Sequence, residues 1–337
     1  MLIKLYGLKK KGKPLMKIKD LNVNDIVDIA LVVVSAVAKE TKAKKPYLAM
    51  EFFDGTDRIS GNYWDWASDK IPEVNAVLDV KAQVTEWQGV KQLNIKSLKT
   101  CTTRQLADFA PESEFDIAEI YKQAYTLMSD VKDETLRTIA LAILEELRVQ
   151  WITVPGAISV HHNYIGGTLI HSYGVAVKAK AMAEVTDGAN VDVATVGAML
   201  HDLGKLFTYR VNGINIEMTA NGRLHEHIFM GAEFLGNFAE SHVNTDDPYV
   251  YGKVRLLRHI ILAHHGSLEF GSPVTPQCIE AYIVHFADAL DATNEQIRVA
   301  TKASGETSIW TDKLWTLNNR PHLSHRYVEA LIEGKTM

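Results

Sequence analysis

The stretch that decides the fold of the larger part of this 337-residue chain is Ala198-Met199-Leu200-His201-Asp202-Leu203-Gly204-Lys205. It reads as an apolar helix that becomes polar at its end. A buried helix has no structural use for an adjacent imidazole and carboxylate unless something pairs with them. A divalent metal ion is the simplest partner, because imidazole and carboxylate suit Zn, Mn, Fe or Ni, and a carboxylate can bridge two ions. The pair therefore indicates metal-assisted hydrolysis.

More residues of the same kind are spread along the C-terminal two-thirds of the chain, in the order His171, His227, His264, His265 and Asp288. None of them lies on the predicted helix that carries the His201-Asp202 pair. Apart from the adjacent His264 and His265, they also come from different helices. Side chains that come from separate helices converge in the core of a bundle, where helical proteins build metal sites. One such histidine alone is more often a hydrogen-bonded core residue; the whole set favours a metal centre.

The composition is that of a globular protein, with 47% hydrophobic residues and a net charge of −5. The charge is uneven. Residues 1–105 carry 18 Lys and Arg against 12 Asp and Glu, a net charge of +6, which indicates a surface for polyanions. Only two cysteines are present, without metal-type spacing, and no signal peptide or membrane-length apolar run is recognised. We therefore expect a cytoplasmic protein without a membrane partner.

Residues 17–100 have the pattern of a small β domain. Five short β-branched and apolar runs alternate with turn signals, at 26–34, 47–53, 58–64, 77–84 and 91–95. Five strands in fewer than 100 residues predict a small closed barrel, of which the OB-fold is the commonest nucleic-acid-binding example. A basic loop over 39–47 would project from it.

From about Asp133 the apolar spacing becomes helical, and five further helices are expected near 171–185, 191–206, 226–239, 253–264 and 278–291. The predicted fold is an N-terminal all-β OB barrel followed by an all-α helical bundle. The expected domains are a nucleic-acid-binding barrel over 1–103, a connector over 104–132, a helical domain over 133–300 that holds the candidate metal ligands, and a tail over 301–337 that packs on the preceding domain.

The order His171, His201-Asp202, Asp288 resembles the signature of the HD superfamily of metal-dependent phosphohydrolases. Longer segments at 160–172, 201–205 and 264–273 closely resemble the YhaM type of 3′–5′ exoribonuclease, which places an OB-fold before its HD domain. Residues 42–54, 59–65 and 310–320 also look similar to that family. One turn departs from it, because Asp54-Gly55-Thr56-Asp57-Arg58 stands where an Asp-x-Thr/Ser-Gly order is expected.

The resemblance implies the roles of the site residues. His171, His201, Asp202 and Asp288 should hold one ion, and Asp202 should bridge to a second held by His227 and His264, with His265 as an additional candidate. Two ions per chain are expected, manganese first, with iron, cobalt, nickel or magnesium as alternatives. Asp202 is thus a catalytic residue, and Lys205 is predicted to neutralise charge on the phosphoryl oxygens. Alternatively, Lys205 is a solvated cation at a helix end.

Substrate contacts are predicted in both parts of the chain. His162, Asn163 and Tyr164 precede the first ligand helix and could contact the terminal nucleotide; a packed turn is the alternative. On the barrel, the basic loop supplies Lys42, Lys44 and Lys45, and Tyr63 and Trp64 are candidates for stacking on bases.

The predicted activity is 3′–5′ exonucleolytic hydrolysis of single-stranded RNA, with DNA as a further substrate, releasing nucleoside 5′-monophosphates. The sequence leaves open whether the chain forms a homo-oligomer. Two other functions also stay open: an HD enzyme that acts on a small nucleotide, such as a cyclic nucleotide or a dNTP, and a non-catalytic single-strand or DNA-binding protein. The basic N-terminal part argues against the first, and the complete ligand set argues against the second.

Overall fold

The computed structural model describes residues 16–66, 70–109, 115–157, 162, 164–212, 215–305 and 308–334. It divides the chain into two compact units, one that ends at residue 112 and also takes in 211–215, and one formed by the rest. Each unit has its own hydrophobic core. Within the described residues, no helix is both long and apolar enough to cross a bilayer.

The first unit is a closed five-stranded barrel. Its strands are β1 (Ile26–Glu40), β2 (Pro46–Phe53), β3 (Arg58–Tyr63), β4 (Val77–Trp87) and β5 (Val90–Thr100). They are arranged in the order β1-β2-β3-β5-β4, in which β3 and β5 run parallel and the other pairs antiparallel. Alternate side chains face inward, as in β2, where Leu48, Met50 and Phe52 are buried. The predicted OB barrel is confirmed.

The unusual turn after β2 is organised by the buried Asp54. Its carboxylate accepts hydrogen bonds from the backbone N–H groups of Ile18, Thr56 and Asp57 and from the Thr56 hydroxyl. These bonds outweigh the effect of burial and lower the pKa of Asp54. The Asp54 carboxylate therefore has a structural role, because it fastens the segment before β1 to the barrel.

The second unit consists of helices α1 (Ile117–Ser129), α2 (Glu134–Glu146), α3 (Arg148–Thr153), α4 (Gly167–Glu184), α5 (Val191–Leu200), α6 (Lys205–Thr208), α7 (Ala220–His242), α8 (Pro248–Ala263), α9 (Ile279–Ala303) and α10 (His325–Glu333). A short hairpin, β6 (Tyr209–Asn212) and β7 (Asn215–Met218), separates α6 from α7. Helix α5 is buried over Val193–Leu200 and packs between α4, α8 and α9. The predicted helical bundle is confirmed.

The predicted connector over 104–132 contains one of these helices. Asp116 caps α1 by accepting a hydrogen bond from the Glu119 N–H, and Tyr121, Ala124 and Met128 belong to the helical core. Their spacing of three and four residues places them on one face of the helix. The polar composition of the flanking segment concealed this pattern. At the other end of the chain, α10 contacts α9.

Candidate metal centre

The helical unit brings the predicted ligands together at the middle of the bundle. His171 lies near the start of α4, His201 and Asp202 follow α5, and Asp288 lies on α9. The His171 Nε2 atom lies 3.4 Å from Asp202 Oδ2 and 3.1 Å from Asp288 Oδ1, and the His201 Nε2 atom lies 3.4 Å from Asp202 Oδ2. Four side chains from three parts of the chain thus converge on one small volume.

The two oxygens of Asp202 face two different groups of histidines. Oδ2 faces His171 and His201, whereas Oδ1 lies 3.5 Å from His227 Nε2 and 3.7 Å from His264 Nε2. His227, His264 and His265 also form a group whose ligand atoms lie within 4.8 Å of one another. Asp202 thus offers one carboxylate oxygen to each of two sets of nitrogen donors.

The ligand tautomers of two histidines are fixed by their own helices. His201 Nδ1 lies 2.6 Å from the Ala198 carbonyl oxygen, and His264 Nδ1 lies 2.7 Å from that of Ile261. Because a carbonyl oxygen only accepts, each Nδ1 must carry the proton. The Nε2 atom of each ring is then left with its lone pair directed at the cluster, as a metal ligand requires.

The donor set fits divalent cations. Asp202 Oδ1, His227 Nε2 and His264 Nε2 are buried and have no hydrogen-bond partner among the described residues. Buried polar atoms are normally paired, so three orphaned acceptors that face one point call for a missing electrophile. Mixed imidazole and carboxylate donors suit Mn, Fe, Co, Ni or Zn. A divalent cation is therefore supported by the structure, although its identity is not.

The electrostatics differ between the two sides of Asp202. Burial works against a proton on His171, but hydrogen bonds to Asp202, Asp288 and Asp291 outweigh it and raise its pKa well above the usual value. Burial lowers the pKa of His227 to about 3. His227 is thus neutral at pH 7 and keeps one ring nitrogen with a free lone pair, whereas His171 is protonated on both ring nitrogens.

A kink in α7 sets the position of His227. Glu226 has φ 58° and ψ 162° inside the helix, a conformation that is sparsely populated for a residue with a side chain. Gly204, in the turn after Asp202, packs directly on this bend, where a Cβ would lie 1.8 Å from the His227 carbonyl oxygen. The glycine therefore allows the backbone of α7 to approach the His201-Asp202 turn. Neither the kink nor this contact was predicted from the sequence.

Lys205 is buried in the cluster, with 9% of its surface exposed. Its Nζ lies 2.8 Å from Asp202 Oδ2. Burial disfavours the charged amine, but the Asp202 carboxylate outweighs that effect and raises the pKa of Lys205. The structure therefore does not support the alternative of a solvated helix-end cation.

Three residues that precede α4 were predicted to contact a nucleotide, and the structure describes two of them. Asn163 lies outside the described residues. His162 is buried, with Nδ1 2.8 Å from the Tyr164 hydroxyl and Nε2 3.0 Å from Asp291 Oδ2. Tyr164 also lies 3.4 Å from Glu295 Oε1. Both described side chains point inward, so the packed-turn alternative describes them better, and a nucleotide contact stays a prediction.

Asp291 is a functional candidate that was missed in the sequence. It lies one turn after Asp288 on α9, and its Oδ2 atom accepts a hydrogen bond from His171 Nδ1 at 2.8 Å. Its spacing of three residues from Asp288 was the available signal, because residues i and i+3 share a helix face. His265, by contrast, was predicted; it is only partly buried, with Nδ1 2.8 Å from the Phe270 carbonyl oxygen.

The barrel candidates lie on its surface. Lys42, Lys44 and Lys45 are exposed in the turn between β1 and β2. Trp64 is 41% exposed and stacks on Tyr47, with ring centroids 4.5 Å apart. Tyr63 is half-buried against the barrel core. Of the two aromatic candidates, Trp64 presents the larger accessible ring face.

Comparison with known proteins agrees with this geometry. Residues 168–293, which include every predicted ligand named above, match the HD domain family. The helical unit therefore contains an HD domain, which is the module of metal-dependent hydrolases.

The chain as a whole is similar to proteins named 3′-5′ exoribonuclease YhaM. It is 25% identical over 310 residues to the one from Listeria welshimeri, covering 90% of this chain and 96% of the relative. It is 26% identical over 310 residues, with the same coverage, to those from Listeria monocytogenes serotype 4b and serovar 1/2a. No solved structure gives a significant match. Residues 168–293 thus carry an HD domain, and the chain as a whole is similar to exoribonucleases of the YhaM type.

Proposed function

We propose that this protein is a 3′–5′ exonuclease that degrades single-stranded RNA to nucleoside 5′-monophosphates by two-metal hydrolysis. The observation that carries the proposal is the position of Asp202, whose Oδ2 atom lies nearest His171 and His201 and whose Oδ1 atom lies nearest His227 and His264. Two-metal sites are suited to in-line displacement at phosphorus. The relatives named 3′-5′ exoribonuclease are similar to the chain over nearly their whole length, which supports RNA as the substrate and the 3′ end as the start.

The ligands divide between two ions. His171, His201, Asp202 and Asp288 would hold the first, and Asp202, His227 and His264 the second, with His265 close enough to complete it. When bound, divalent ions supply activation of the attacking water and neutralisation of charge on the oxygens. Manganese is our first choice, because the donors mix carboxylate oxygen with imidazole nitrogen.

Lys205 would stabilise the charge that develops on the phosphoryl oxygens. In the structure its ammonium pairs with Asp202 in a buried site. With the charge of Asp202 neutralised by divalent cations, the Lys205 ammonium would be available to pair with the substrate. A buried cation acts more strongly on a phosphoryl oxygen than an exposed one, because little water screens it.

The barrel would hold the strand. The exposed lysines of the turn between β1 and β2 are suited to phosphate contacts, and the exposed face of Trp64 is suited to stacking on a base. Neither contact reads a specific base, so the proposed grip is tolerant of sequence. The proposal also includes the predicted domain limits, which are 1–103 for the barrel and 133–300 for the catalytic domain. A cytoplasmic location and a homo-oligomer are further parts of it.

The direct test uses a 5′-labelled single-stranded oligoribonucleotide with Mn²⁺. We expect a descending ladder with nucleoside 5′-monophosphates as products, and no ladder after chelation. A 3′-phosphorylated strand should resist, and a strand with a stable hairpin should be degraded only up to its base, because unpairing costs about 1–2 kcal/mol per base-pair step.

Matched substrates separate the alternatives. Cleavage of a circular single strand at a comparable rate would make the protein an endonuclease. Binding without hydrolysis would favour a non-catalytic single-strand-binding protein. Hydrolysis of cyclic nucleotides or dNTPs, with the oligonucleotide left intact, would favour the small-nucleotide enzyme.

A further inference from the structure

Asp291 is surrounded by hydrogen-bond donors on the side of His171 that faces away from Asp202 and Asp288. Its Oδ2 atom accepts from His171 Nδ1 at 2.8 Å and from His162 Nε2 at 3.0 Å, and its Oδ1 atom accepts from Lys178 Nζ at 2.7 Å. The position is tightly packed, since a Cβ on Gly174 would lie 2.5 Å from Oδ1. Packing and three donors together leave the carboxylate little freedom to rotate.

His171 differs from His201 and His264 in the group that orients its ring. Those two rings donate from Nδ1 to a backbone carbonyl of their own helix. The partner of His171 is instead an ionised carboxylate on α9, the helix that also carries Asp288. A carboxylate behind a ligand imidazole fixes its orientation and makes the metal-binding nitrogen more basic than a carbonyl partner does.

We propose that Asp291 is a positioning residue that acts through His171 and selectively strengthens ion binding on the His171 side of Asp202. The inference rests on the proposed two-metal function. His162 and Lys178 hold Asp291 in place from either side, and His162 also connects Asp291 to the segment before α4. The residues on the other side, His227 and His264, have no bond to Asp291 among the described contacts, so their ion should be indifferent to it.

The test measures Mn²⁺ affinity of the full chain by calorimetry after removal of bound metal. In Asp291→Asn, whose folding is checked by circular dichroism, we expect one of the two sites to weaken by about 10- to 100-fold and the other to keep its affinity. His227→Ala should remove the other site, so that only the His171-side site binds Mn²⁺. Adding Asp291→Asn to that variant should weaken the remaining site by the same factor.

Lys178→Met is the matched control. It removes a bond to Asp291 of similar length but leaves the Asp291–His171 contact in place, so it should weaken the His171-side site far less than Asp291→Asn does and leave the other site unchanged. If Asp291→Asn keeps both affinities, weakens both equally, or weakens them no more than Lys178→Met does, the proposal is overturned.

A measurement on the unaltered protein keeps the proposal testable even if Asp291→Asn does not fold. In the Zn²⁺-loaded protein, nitrogen-15 spectra should show His171 with a hydrogen-bonded proton on Nδ1 and the metal on Nε2. Metal on Nδ1 would overturn the role of Asp291. An unaltered protein that binds no Mn²⁺ or Zn²⁺ would overturn the proposed function together with this inference, whereas normal binding without RNA hydrolysis would leave the inference standing.

Discussion

Asp202→Asn is the substitution with the most to reveal, because it keeps the volume of the side chain and removes its charge. The Asp202 carboxylate is buried, lies 2.8 Å from Lys205 Nζ and faces two histidine groups. The two-metal account requires both oxygens as ligands. An amide is a far weaker ligand, so we expect loss of at least one ion per chain and of about 4 kcal/mol of transition-state stabilisation, which is about a thousand-fold in rate.

The same substitution should destabilise the metal-free protein. It leaves the buried ammonium of Lys205 without its carboxylate, and removing one partner of a buried ion pair costs about 3–5 kcal/mol. Adding Lys205→Met removes the uncompensated charge. The double variant should therefore recover most of the lost stability while its hydrolysis stays about a thousand-fold or more below that of the unaltered protein.

Two assays separate these effects. Urea unfolding in the presence of a chelator reports the free energy of unfolding, and hydrolysis of a labelled single strand with Mn²⁺ reports the activity. An Asp202→Asn protein that retains hydrolysis within tenfold would refute the bridging role. A double variant no more stable than the single one would refute the reasoning about the ion pair.

Three further predictions concern the free energy of unfolding at acid pH, the RNA-binding turn of the barrel and the kink in α7. The buried His227 stays neutral down to its pKa of about 3, whereas in the unfolded chain it takes up a proton below about pH 6.5. The metal-free protein should therefore lose up to about 1.4 kcal/mol per pH unit from this group as the pH falls from 6.5 to 3, and His227→Gln should flatten that slope; equal slopes in urea titrations would contradict this. Combined alanine substitution of the basic turn should lower the salt dependence of RNA binding by about two in the log–log slope, and an unchanged slope would place the phosphate contacts elsewhere; the residues are Lys42, Lys44 and Lys45. Glu226→Gly should raise the free energy of unfolding by about 1 kcal/mol, since glycine adopts the kink without strain, and a lower melting temperature would show that the kink is not strained.

The barrel was predictable because its strands alternate inward apolar and outward polar residues, which gives a period of two. The strand ends were not. β1 continues to Glu40 and β5 to Thr100, beyond the predicted 34 and 95, because their outer parts pair with neighbouring strands while their side chains are largely exposed. Backbone pairing outside the core leaves no hydrophobic pattern in the sequence.

The convergence of the predicted ligand side chains could be anticipated from residue type and order, since buried histidines and aspartates on separate apolar helices need a common partner. The supporting contacts could not. Asp291 meets His162 across 129 positions of sequence and His171 across 120, and such pairs are defined by the packing of α4 against α9. The kink at Glu226 likewise depends on the close approach of α7 to Gly204, which local sequence does not encode.

The most direct test of the central claim is anomalous diffraction from crystals grown with Mn²⁺. The account predicts two peaks per chain that share Asp202, one among His171, His201 and Asp288 and the other between His227 and His264. A single peak, or two peaks on the same side of Asp202, would contradict the two-metal centre.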